Sequence, residues 1–358
     1  MAYTGINDPS AYFQTKLYTG TNNELVLTFD GNSDLQTDMI WTKNRGRASV
    51  NHVLSDTVRG IAKGLYPDLS NVQGDTNYIS AIGSNGYTIV ATDSVEMNRD
   101  DDTFVSWNWK TGTAFSNDAS STSVGSIDSV GSVNTDAGFS IMSYTGTGSA
   151  GTLAHGLSAV PAWYIVKGVS KNDGWFVYHH KNTAAPQTDF LRLDVADATT
   201  DQANIFNDTA PTSTVFSIGT DNGVNESGET YIAYIFAEKQ GYSKFTSYTG
   251  NANADGPFVY TGFKPAFFIY KNTNTSGEEW KILDNKRDPF NRASQRNLNV
   301  HVNTAESDDT NSIGEFVSNG VKIRSAHNNI NKSGSPFICI AFAEQPLVTS
   351  KGVPATAR

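Results

Sequence analysis

The residues of this chain best suited to acid–base or metal chemistry are its six histidines, His52, His155, His179, His180, His301 and His327. Their spacing favours neither chemistry. Only His179 and His180 are adjacent, and neighbouring side chains on a strand point to opposite faces, so the pair cannot chelate one ion from one side. No Cys-x-x-Cys, His-Glu-x-x-His or Gly-rich phosphate loop occurs. The nearest approach to Gly-x-Ser-x-Gly, Thr147-Gly148-Ser149-Ala150-Gly151, lacks its first glycine. Carboxylates cluster at Asp100-Asp101-Asp102, Glu278-Glu279 and Asp308-Asp309. Oxygen-rich loops bind calcium, but none of these has the EF-hand spacing, so solvated loop charge is the expectation. Exposed aromatics stack on sugar rings, which makes Tyr87, Tyr178 and Tyr260 the candidate ligand-binding residues. The single cysteine, Cys339, lies in an apolar run and reads as a small buried hydrophobe. No catalytic residue, metal ligand or cofactor is expected.

The composition points to what must position these side chains. Charged residues make up 17% of the 358, aromatics 11%, and glycine occurs 31 times. That profile suits short β-strands joined by many turns. Net charge is −10, from 26 basic and 36 acidic residues. An acidic surface repels phosphate backbones, so no nucleic-acid partner is expected. No apolar run reaches the roughly 18 residues of a membrane span, so no membrane insertion is expected. Met1 to Tyr12 lack the basic start and apolar stretch of a signal peptide.

The chain repeats itself three times. An opening phrase recurs as Tyr18-Thr19-Gly20, Tyr144-Thr145-Gly146 and Tyr248-Thr249-Gly250. An apolar run ending in lysine follows, Met39 to Lys43, Trp163 to Lys167 and Phe267 to Lys271. A bulky ring stands a little further on, at His52, Trp175 and Trp280. Each repeat closes on Phe104-Val105-Ser106-Trp107, Tyr231-Ile232-Ala233-Tyr234 or Phe337-Ile338-Cys339-Ile340, with an asparagine six residues ahead, at Asn98, Asn225 and Asn331. Self-similarity at a fixed period decides architecture before any local reading. The fold class expected is all-β, as three tandem antiparallel β-sandwich modules of jelly-roll, lectin-like form. They span 1–110, 138–240 and 241–346, with a Ser/Gly-rich linker over 111–137 and a C-terminal tail over 347–358. The linker should leave the first module set apart, whereas the second and third abut. Asn98, Asn225 and Asn331 are expected to form local turns. Lys43, Lys167 and Lys271 are expected to reach for water or a carboxylate, and the recurring ring to lie in the core. One helix is predicted, around Leu54 to Leu65, from the spacing of Val58, Ile61, Ala62 and Leu65.

The phrases Tyr12 to Gly20, Asp38 to Arg45, His52 to Gly60, Gly86-Tyr87-Thr88-Ile89, Val105 to Lys110 and the repeated Ser-Tyr-Thr-Gly resemble repeated β-domains in virion proteins of marine tailed bacteriophages, cyanophages among them. The tail from Phe342 to Val348 and on to Ala355-Thr356-Ala357-Arg358 is similar in the same setting. Copy one departs from the pattern at Thr37, where Pro161 and Pro265 keep the family's proline. The resemblance carries no catalytic residue. It implies a non-enzymatic virion surface protein, a tail fibre or receptor-binding appendage that contacts the host. The alternative is a capsid decoration or a tail or head joint protein. It further implies a homotrimer or other symmetric oligomer, other virion proteins as partners, and a host surface glycan or protein as receptor. The expected location is the virion, assembled in the host cytoplasm and released by lysis.

Overall fold

The computed structural model describes residues 4–288 and 296–355. The first three residues, 289–295, and the tail's end at Thr356-Ala357-Arg358 lie outside the described residues. The chain is all-β, built from several antiparallel sheets. The first repeat carries β1 (Phe13–Thr19), β2 (Leu25–Thr28), β3 (Met39–Asn44), β4 (Val53–Asp56), β5 (Lys63–Gly64), β6 (Gly74–Asp75), β7 (Ile79–Gly83), β8 (Gly86–Ile89) and β9 (Thr103–Trp109). Next come β10 (Thr113–Asn117), β11 (Ser129–Asn134), β12 (Phe139–Thr145), β13 (Gly151–Ala154), β14 (Trp163–Gly168), β15 (Trp175–His179), β16 (Asp189–Arg192), β17 (Thr200–Asp201), β18 (Val215–Ile218) and β19 (Thr230–Phe236). The third repeat has β20 (Ser243–Thr249), β21 (Phe258–Tyr260), β22 (Phe263–Asn272), β23 (Lys281–Asp284), β24 (Arg296–Asn299), β25 (Ser307–Asp308), β26 (Gly314–Val317), β27 (Gly320–Ile323) and β28 (Pro336–Pro346).

The repeated phrases are these strands, and they pair the same way each time. The large sheets run β1-β9-β3-β4, then β12-β19-β14-β15 within an eight-stranded sheet, then β20-β28-β22-β23. In each, the closing strand lies between the opener and the lysine-ended run. Trp41 faces Trp107, Ile165 faces Tyr234, and Ile269 faces Ile340, so these positions correspond. Each repeat adds a small sheet: β2-β8-β7, β13-β18 and β21-β27-β26. One face of each large sheet shares an apolar cluster with its own small sheet.

Two expectations are corrected here. Residues 111–137 are no linker: β10 and β11 extend the second repeat's sheet along the edge of β12, with a helical turn at Ala119–Thr122 between them. One of their glycines marks a close crossing: a Cβ on Gly131 would stand 2.1 Å from the Ile141 carbonyl. The predicted helix at Leu54 to Leu65 is a strand, a turn and a short strand. Leu54 and Leu65 bridge antiparallel across the turn, which Arg59 and a left-handed Gly60 close. Of the residues whose spacing mimicked a helical face, Val58 packs against the central core and Ile61 against the first repeat's outer cluster.

The first repeat is not set apart either. The other faces of all three large sheets turn inward onto one common core holding Trp41, Trp107 and Trp109, Trp163, Trp175 and Phe236, and Phe267, Trp280 and Phe342. The corresponding residues Trp109, Phe236 and Phe342 meet there, Phe342 lying 5.5 Å from the Trp109 ring and 5.6 Å from the Phe236 ring. Trp41, Trp109, Trp163, Trp175 and Phe267 line a void of only about 10 Å³ between the sheets. Full burial of each large aromatic contributes about 2–3 kcal/mol.

Main-chain hydrogen bonds close the three repeats into a ring. Gln73 N–H bonds Val169 O and Asp173 N–H bonds Ser70 O between the first and second. Thr199 N–H to Thr273 O and Gly277 N–H to Ala196 O join the second and third. Glu306 N–H to Arg45 O and Val50 N–H to Asn303 O join the third back to the first. The same positions bond at every seam, so a cyclic, threefold-like arrangement is completed within one chain.

Candidate functional site

Each recurring asparagine ends a turn through its main chain, its N–H donating to Ser94, Asp221 or His327 O, but its side chain does not form the turn. Each is fully buried and clasps the loop after the opening strand, more than seventy residues away in sequence. The Oδ1 of Asn98, Asn225 and Asn331 accepts from Thr21, Thr147 and Asn251 N–H at 3.1, 2.8 and 2.7 Å. Their Nδ2 donates to Asn23, Ser149 and Asn253 O at 2.6, 2.7 and 2.8 Å. The flanking residues complete the clasp. Tyr18, Tyr144 and Tyr248 hydroxyls donate to Met97, Val224 and Ile330 O, the carbonyl just before each asparagine. Gly20, Gly146 and Gly250 press on the carbonyl just after it, where a Cβ would come within 2.1–2.2 Å. The Tyr-Thr-Gly phrase and the distant asparagine are therefore two halves of one joint.

Lys43, Lys167 and Lys271 do not reach water. All three are fully buried, and each Nζ donates to the carbonyl of its own next residue. Lys167 also donates to Ser70 O and Lys271 to Ala196 O, both across a seam, while Lys271 adds Glu278 O. Burial pushes all three down to about 8. The recurring ring lies in the core and also ties the seams. Trp175 Nε1 donates to Tyr66 and Leu69 O at 3.0 Å, Trp280 Nε1 to Arg192 O at 2.8 Å, and His52 Nε2 to Asn299 O at 2.9 Å.

The histidines first considered for chemistry are held in structural contacts, some across seams and some within a repeat. Trp41 Nε1 donates to His52 Nδ1, which leaves Nε2 as the His52 donor. His155 and His179 follow the same rule. Each Nδ1 accepts a main-chain N–H, each Nε2 donates to a carbonyl (Thr212 and Cys339), and burial holds the rings at about 4 and about 3. His180 donates to Phe245 O, burial lowers His301, and His327 accepts from Asn329 N–H at the start of a helical turn. Of the carboxylate clusters, Asp102 pairs with Arg47, and Glu279 and Asp309 with Lys281. Among the described residues no group of three His, Cys, Asp or Glu could hold a metal ion. Burial pushes the Cys339 thiol well up, so it stays protonated.

Two buried ion pairs were not legible in the sequence. Arg59–Asp56 and Arg287–Asp284 sit at corresponding places, and each aspartate also accepts a bond across a seam. Asp56 accepts from Tyr234 OH at 2.7 Å and Asp284 from Trp107 Nε1 at 3.1 Å. At the third seam the corresponding partners are His179 and Ile340. Ile340 has no donor, and there His179 itself donates to the neighbouring Cys339 carbonyl. The only signal in the sequence was Asp-x-x-Arg at corresponding places of the first and third repeats, where the second has His179 and Asn182.

Of the candidate ligand-binding tyrosines, Tyr87 and Tyr178 belong to the core. Tyr87 is 1% exposed and donates to Ser106 Oγ, and Tyr178 is 3% exposed and stacks on Tyr164. Tyr260 is 55% exposed on the edge strand β21, two residues from Phe258 at 45%, with Val259 buried between them. The pair forms one outward aromatic face. The corresponding residues of the other repeats are Val26 and Thr28, and Thr152 and Ala154, so only the third repeat bears aromatics there.

The fold defines an all-β protein whose recurrent buried asparagines, lysines and rings bond main chain within and between its repeats, with aromatic contact area outside. Within that class, the chain belongs to the family defined by a domain of unknown function, DUF7483, whose model matches residues 8–346. No curated protein matches the sequence.

Proposed function

We propose that the protein is a non-enzymatic surface component of a tailed-bacteriophage virion, a fibre or receptor-binding appendage that contacts the host. One observation carries this reading: the recurrent polar positions are consumed inside the frame, the asparagine clasping loops within its own repeat and the ring and the acidic acceptor bonding across seams. What varies between repeats is the outer face, where Phe258 and Tyr260 stand exposed. A rigid frame with divergent outer faces suits adhesion, and the resemblance to phage virion β-domains supplies the setting. In the same reading each large sheet and its small sheet are a jelly-roll, lectin-like sandwich, one module used three times. The shared clusters between the paired sheets support this. Self-association as a homotrimer or other symmetric oligomer belongs to the proposal, as do other virion proteins as neighbours.

The test is binding of the purified chain to host cells and host polysaccharide. Saturable binding that falls at least about tenfold in a Phe258→Ala, Tyr260→Ala double variant supports the appendage. The second reading, a decoration or joint protein, gains if host surfaces are ignored while capsid or tail subunits bind tightly. Light scattering of the same sample reads the oligomer.

A further inference from the structure

The second repeat shows how an open sheet edge of this fold is filled. Its opening strand β12 is covered by β11, which runs antiparallel with Ser132 opposite Ile141. In the third repeat the corresponding strand, β20, ends its sheet. Tyr144 and Tyr248 hold the same place, so Phe245 of β20 corresponds to Ile141. Both main-chain groups of Phe245 point outward, and side chains from the second repeat cap them. His180 Nε2 donates to Phe245 O at 2.7 Å, and Phe245 N–H donates to Glu238 Oε2 at 3.4 Å. The caps stand where β11 would lie.

A groove of about 580 Å³ runs beside this edge, floored by Val160 to Ala162 and Phe245. Lys181 and Lys244 border it, and Glu238 is the only carboxylate lining it among the described residues. Lys244 pairs with Glu238 at 2.6 Å, which leaves Lys181 among the described lining residues to complement the segment that fills the sibling slot. Ser129–Asn134 carries no charge and is flanked by Asp128 and Asp136. The remaining sibling, a groove of about 400 Å³ beside β1, is crossed by the exposed Lys286–Asp30 ion pair at 2.9 Å, so β20 offers the roomier slot.

We propose that the groove beside β20 receives an extended strand from another polypeptide, which adds antiparallel to β20 and takes over the Phe245 main-chain groups from His180 and Glu238. The incoming segment is uncharged and rich in Gly, Ser and β-branched residues through its middle, with acidic flanks. Its glycine passes the Phe245 carbonyl as Gly131 passes Ile141. Main-chain bonds supply affinity and the groove supplies selection. In the free chain the caps hide an edge that would otherwise pair with other copies. This partner is defined by strand chemistry and does not depend on the host-contact reading.

The probe is a fluorescent peptide of residues 125–138 titrated against the full chain. Saturable binding is expected, with amide shifts on β20. His180→Ala removes one cap and should tighten binding about fivefold, the equivalent of one hydrogen bond. Glu238→Ala, at an exposed position, should tighten it too. A peptide N-methylated at Ser132 should not bind. No saturation by about millimolar peptide overturns the proposal. So does binding indifferent to N-methylation or to both variants, or amide shifts on β12, which mark exchange with the chain's own β11. Self-association of His180→Ala without peptide uptake assigns the slot to a second copy instead.

Discussion

Asn225 makes main-chain bonds to Thr147, Ser149 and Gly219 from a site with no solvent. Truncation leaves those groups unpaired where water cannot replace the side chain. Asn225→Ala should therefore cost about 2–4 kcal/mol, read by urea denaturation. A loss under about 0.5 kcal/mol would show that the joint holds without it. The buried lysines give a pH signature. Lys167 and Lys271 titrate at about 8 when folded, below their ordinary 10.5, so between these values the native chain binds fewer protons than the unfolded one. Their contribution to stability rises as pH climbs from about 8 towards 10.5 and is flat below about 8. Lys271→Met should flatten part of that rise in denaturation curves taken across the window.

At the scale of elements, the seams depend on buried ionic groups. Arg287 and Asp284 are both fully buried, and Asp284 holds the Trp107 indole as well. Asp284→Ala strands the guanidinium, with Glu306 its remaining acidic partner. The expected cost is about 3–5 kcal/mol, mostly recovered in an Asp284→Ala, Arg287→Met double variant, because an unpaired buried charge is worse than none. A thermal melt of both variants decides it; equal losses in the two would place the stability in packing alone. The first and second repeats carry the same device at Asp56, Arg59 and Tyr234. The seam built on His179 lacks a buried ion pair, so His179→Ala should be the milder change.

The whole molecule shares one core, and this sets its cooperativity. Trp107, Trp163 and Phe267 come from different repeats and lie in one cluster. Removing a repeat would expose the inner faces of the other two. Calorimetry of the full chain is expected to show one transition, with the van't Hoff and calorimetric enthalpies agreeing. Three separable transitions would mean that the repeats fold independently, as beads. The isolated segment 138–240 is expected to aggregate, since its Trp163 and Phe236 face would meet water.

What the residues determined alone was the repeat and its strands. Tyr-Thr-Gly, the apolar run with its lysine and the closing run all became strands or strand ends, because hydrophobic runs and turn residues act locally. The recurring asparagine and lysine were visible as positions, but their partners were not. A side chain such as Asn331 reads as a turn former until the loop at Asn251 is brought beside it. Lys167 reads as a surface residue until Ser70, nearly a hundred residues earlier, offers its carbonyl. The same holds for residues 111–137, a linker by composition and two strands once β12 presents an edge. Ring closure was decided only in three dimensions. Whether a polar group can be buried depends on partners that the fold, not the neighbouring sequence, supplies.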